Sequence, residues 1–145
     1  MIAKIQPFVL VITLAMCLVH AANPPIEGTW EGTREGVKAA TLTVRQTDGI
    51  LGGSVIFYII RDNGDGSRNG QALPAQPLTA VEWDGHTLRF SVERPDGAAI
   101  PFEMRITGEG RGELRRRGDS DPDEIVPMTR RTPARARNPE PGAIL

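Results

Sequence analysis

The stretch PLTAVEWDGHTLRFSVE, Pro77 to Glu93, decides how this chain is read. Leu88, Phe90 and Val92 alternate with Arg89, Ser91 and Glu93, the period of two that lays one apolar face along a strand. Asp84-Gly85 sits between two such runs. That dipeptide tolerates the positive φ angles of a tight primed turn, so the stretch predicts an antiparallel hairpin.

The same signals recur on both sides. Gly28–Thr33 and Ala40–Arg45 read as strands, Asp48-Gly49 reverses the chain, and Ile50–Ile60 follows as the most apolar strand. Downstream, Pro95-Asp96-Gly97 makes another reversal. Ile100, Phe102, Met104 and Ile106 then alternate with Pro101, Glu103, Arg105 and Thr107. Gly112–Arg117 and Ile125–Arg131 form a last pair around the acidic connection Gly118–Glu124. Short strands with turn signals between them predict an all-β chain, an up-and-down antiparallel barrel or a closed curved sheet of about eight strands. Its inward set includes Trp30, Leu42, Val44, Phe57, Trp83, Leu88, Phe90, Phe102 and Met104, which could fill a short barrel.

Of the 145 residues, the first 22 read as a signal peptide. Lys4 supplies a positive start, Phe8–Val19 is apolar throughout, and Val19-His20-Ala21 offers a cleavage site after Ala21 or Ala22. A small exported protein, secreted or periplasmic, with no membrane span after cleavage, is the expectation. Residues 23–131 make one β-barrel-like domain, and 132–145, with three prolines and little to bury, a disordered tail. Cys17 lies in the discarded segment, so the mature chain offers neither disulfide nor thiol nucleophile. Loss of Lys4 leaves 16 basic against 18 acidic side chains. That balance speaks against nucleic acid as a partner.

Sites for chemistry are scarce. His86 is the one histidine beyond the signal, which rules out a histidine-zinc cluster; it should begin a strand at the barrel rim, half in water. RDNGDGSRNG, Arg61–Gly70, resembles a calcium loop only in part. Aligned on Asn63, Asp65 and Gly66, it puts Arg61 at the first ligand position and Ala72 where the bidentate carboxylate is needed. A glycine-rich connection is expected instead. Asp119, Asp121, Asp123 and Glu124 beside Arg115-Arg116-Arg117 read as a solvated, charge-balanced hairpin. No catalytic, cofactor-binding or metal-ligating set follows from these residues.

Gly28-Thr29-Trp30-Glu31-Gly32 resembles the Gly-x-Trp opening of the lipocalin and avidin group of calycin-like barrels. The resemblance implies that Trp30 closes one end of the barrel under an arginine or lysine of the last strand. Arg130, which shares parity with Val126 and Met128, is placed for that role. A wider resemblance, roughly Ile26 to Arg131, joins GTWEGT, DGILGGSVIFY, PLTAVEWDGHTLRFSV, FEMRITGEGRGELRR and PMTRR. In that order these stretches look like a family of small exported bacterial proteins of uncharacterised function, also found as modules beside hydrolase domains. It implies a fold and carries no catalytic residue.

Val55–Ile60 is apolar on both faces, whereas a barrel has one inside. Ile56, Tyr58 and Ile60, with His86 at the rim, are therefore candidates for a ligand or partner surface. The function expected is an exported, non-enzymatic binding module of lipocalin-like type for a small apolar ligand or a protein partner. The alternative is a structural or assembly role through the exposed strand face; a hydrolase would have to work through His86 alone.

Overall fold

A computed structural model of the protein describes residues 25–118 and 124–132. The expected signal peptide, the acidic stretch 119–123 and, but for Thr132, the expected tail lie outside the described residues. The described residues form strands β1 (Gly28–Arg34), β2 (Val37–Thr47), β3 (Ile50–Asp62), β4 (Arg68–Ala72) and β5 (Gln76–Pro77). They continue with β6 (Thr79–Trp83), β7 (Thr87–Glu93), β8 (Ala99–Gly108), β9 (Arg111–Arg116) and β10 (Val126–Arg130).

The strands build one antiparallel sheet in the order β4-β3-β2-β1-β10-β9-β8-β7-β6, curled into a half-barrel. First and last strands are neighbours, with Trp30 opposite Arg130 and Gly32 opposite Met128. The margins of the curl, β3 and β7, are bridged by one crossing segment. Its start, β5, pairs Gln76 and Pro77 with Val55 and Ser54 of β3, and the Leu78 N–H donates to Gly53 O at 3.0 Å. Its continuation, β6, pairs with β7. Between Thr79 and Glu82 the register slips at a bulge, with Ala80 at a φ of 49°. A bulge bends its strand, and here the bend lets one segment serve both margins.

The expected all-β antiparallel curved sheet is borne out. Two local expectations are corrected. Arg61–Gly70 is the tip and second arm of a hairpin rather than a loose connection: Asp62 pairs with Arg68 and Ile60 with Gly70. Its carboxylates serve the turn itself, Asp62 Oδ1 accepting from the Gly64 N–H at 2.9 Å and Asp65 Oδ1 from the Ser67 N–H at 2.8 Å. Asp84-Gly85 is not a two-residue primed turn. Gly85 alone has positive φ, and Asp84 Oδ1 accepts from the N–H groups of His86 and Thr87 at 2.9 and 2.7 Å, holding a wider reversal. The primed geometry occurs at Asp48-Gly49 (φ 51° and 79°) and Glu35-Gly36 (φ 51° and 77°).

Alternating burial along β2 and β7 sends Ala40, Leu42, Val44, Leu88, Phe90 and Val92 inward. They meet Ile26, Trp30, Val55, Met104, Leu114 and Met128 in a single core. Two bare backbones shape its middle: a Cβ at Gly32 would lie 2.4 Å from Met128 Sδ, and one at Gly112 2.4 Å from Met104 Cε. The flexible thioethers fill the space that the glycines leave. At the seam, Gly53 has a φ of 150°, and a Cβ there would stand 1.8 Å from Thr43 O.

Gly53→Ala should therefore lower stability by about 2–4 kcal/mol through strain and overlap. Gly52→Ala, whose Cβ meets nothing within 4 Å, is its control. Denaturant unfolding of the two variants makes the comparison, and equal stability would contradict this seam geometry.

Candidate functional site

The two ends of the half-barrel differ. At the end where β1 begins, Trp30 is fully buried and its indole N–H donates to Ile26 O at 2.9 Å, so the one polar atom of the ring is satisfied. The Arg130 guanidinium lies 5.6 Å from the ring centroid, and its Nη1 donates to Pro25 O at 2.9 Å. A cation over indole is worth about 0.5–2 kcal/mol. Ile26, Trp30 and Arg130 together fill this end.

The opposite end, where β1 finishes at Arg34, is hollow. A pocket of about 490 Å³ opens there, within the range of small-molecule sites. Phe57 of β3 and Phe102 of β8, strands that are not neighbours in the sheet, meet across the interior with centroids 5.1 Å apart. Phe90 stacks on Phe102 at 5.8 Å. With Val92, Leu114 and Val126, Phe57 and Phe102 make an apolar floor and wall. Another hollow, of about 540 Å³, is lined only by Arg45–Gly53 residues of the β2–β3 hairpin, so no second wall encloses it.

Charge gathers at the mouth of the first pocket. Among the described residues, Arg34, Arg94, Arg115 and Arg116 line it, against the single carboxylate of Glu124. Three of these arginines prolong inward-facing rows: Arg34 follows Trp30 and Gly32, Arg94 follows Phe90 and Val92, and Arg116 follows Leu114. Arg115 takes the other parity and pairs on the outside with Glu103. Arg94 Nε is 3.8 Å from Asp96 Oδ2, with both groups more than half exposed, a contact worth little. Arg116 forms no ion pair among the described residues.

The surface candidates divide. β3 leaves β2 after the pair Ala40 and Phe57 and joins β4 from Tyr58 onward, so Tyr58 and Ile60 reach the pocket mouth beside Phe57. Ile56 is half-buried and does not line it. The Tyr58 hydroxyl shares a 3.2 Å hydrogen bond with Thr41 Oγ1, and the Lys38 ammonium lies 5.9 Å from its ring centroid. Of this strand's large apolar residues, Ile50 and Ile59 are left exposed, at 73% and 43%. His86 is not in a strand. It is exposed in the β6–β7 reversal, at the tryptophan end and away from the pocket.

Two turn carboxylates are held by their neighbours. Hydrogen bonds from Thr87 and His86, then the Arg89 guanidinium, hold the Asp84 carboxyl below the usual range. Ser67, through its hydroxyl and its N–H, does the same for Asp65. Among the described residues, no three of His, Cys, Asp and Glu gather to hold a metal ion, and no helix is long and apolar enough to cross a membrane. No protein-family profile, curated protein or solved structure matches the chain.

Proposed function

We propose that the protein is an exported, non-enzymatic binding module of lipocalin-like type that takes one small apolar ligand into the open end of its half-barrel. The observation that carries this reading is the asymmetry of the ends. One is stoppered by Ile26, Trp30 and Arg130; the other keeps a pocket of about 490 Å³ walled by aromatic and aliphatic side chains from several strands. The Gly-x-Trp opening with an arginine over the ring supports the lipocalin-like comparison. Export rests on the apolar segment Phe8–Val19 and the small residues at 21 and 22. Mass spectrometry of the protein recovered from outside the cytoplasm should give a chain beginning at Ala22 or Asn23; an intact Met1 in the cytoplasm would contradict export.

Ligand uptake is tested with N-phenyl-1-naphthylamine, a neutral fluorophore that brightens in apolar surroundings. One-to-one saturable binding is expected. Ile100→Trp, which crowds the mouth from β8, should weaken it roughly tenfold, the equivalent of about 1.4 kcal/mol. Absence of saturation, or binding unaffected by the substitution, would count against the pocket. An assembly role is the second reading, favoured by exposed Ile59 and Leu73, and self-association without uptake would support it instead.

A further inference from the structure

Every strand row that points into the core must end somewhere, and a row continued past the core ordinarily meets water. In this fold, rows on β1, β7 and β9 end at the same mouth with the same residue type. Arg34, Arg94 and Arg116 come from different hairpins, yet the curl of the sheet places all three around the apolar pocket floored by Phe57 and Phe102. Arg116 stands directly opposite Phe102 in the β8–β9 ladder, so a guanidinium and the pocket's central ring share one register position. Among the described residues, the only acidic side chain on the lining is Glu124.

An apolar cavity with an arginine mouth is complementary to a molecule of matching polarity. A neutral hydrocarbon would fill the floor but offer the Arg116 guanidinium, which forms no ion pair among the described residues, nothing to bind. A ligand with an apolar tail and a carboxylate head would use both, because guanidinium presents planar paired donors that match the carboxylate's two oxygens. We infer that the ligand is an anionic amphiphile, its tail against Phe57 and Phe102 and its carboxylate held by Arg94 and Arg116. The inference rests on the proposed uptake of an apolar ligand and specifies its chemical class.

The test compares probes of one chain length, dodecanoate, dodecanol and dodecylamine, each below its micelle concentration, displacing N-phenyl-1-naphthylamine from the purified protein. Dodecanoate should bind about tenfold more tightly than dodecanol at low ionic strength, the scale of a charge-assisted hydrogen bond, and dodecylamine most weakly. Added salt should shrink the advantage of the carboxylate, since the mouth is open to water. In the double variant Arg94→Gln, Arg116→Gln, the ratio of the two affinities should fall below about twofold.

Equal binding of dodecanoate and dodecanol by the unmodified protein would overturn the inference while leaving an apolar pocket. A preference that survives the double substitution would overturn the assignment to these two arginines. Failure of the fluorophore itself to bind would sink the proposed function together with this inference. The salt series needs no variant, so a misfolded double mutant does not remove the test.

Discussion

Arg130 and Pro25 lie 105 residues apart in sequence, and the hydrogen bond between them ties the last strand to the segment before the first. Bringing such distant segments together costs loop-closure entropy before any contact repays it. What repays it is concentrated at one point: a fully buried Trp30, its N–H satisfied by Ile26 O, with a guanidinium across its ring. On either side, β1–β10 pairing extends through Gly32 and Met128, where the missing side chain lets the methionine settle over the backbone. Without that closure the sheet would be two open hairpin stacks, each with an apolar face in water. With it, the curl acquires an inside and two unequal ends.

The inequality follows from side-chain volume. At one end, tryptophan, isoleucine and the stem of Arg130 leave no room. Along the middle, Met104 and Met128 lie over Gly112 and Gly32. At the other end, the inward rows run out into arginines, whose long stems reach toward water and leave the space above Phe102 vacant. The pocket at that end is thus a product of where large apolar residues stop.

Much of this was legible in the sequence, and the reasons for the rest are local. Strict alternation in β7 and β8 identified both faces, and parity alone placed Arg130 on the inward row with Met128. The β3–β4 hairpin was missed because Arg68–Ala72 is exposed along its whole length and shows no apolar alternation; its strand character comes from pairing with the edge of β3. The wide reversal at Asp84 was missed because its carboxylate finds two backbone donors, a competition that dipeptide preference does not show. The arginine mouth also has a signal in the sequence. Extending the parity of Phe90 and Val92, of Gly32, and of Leu114 by one more step lands each time on arginine, but only the curl of the sheet shows that the three ends meet.

A filled tryptophan end and a hollow arginine end, proposed to take a ligand, belong to one half-barrel. Amide and indole chemical-shift mapping by two-dimensional NMR, during titration with a soluble apolar ligand, tests it most directly. The account predicts shifts at Phe57, Val92, Phe102, Leu114 and Val126, with the Trp30 indole N–H unmoved in its bond to Ile26. Shifts centred on Trp30, or spread over the outer face around Ile56 with the pocket residues silent, would contradict it.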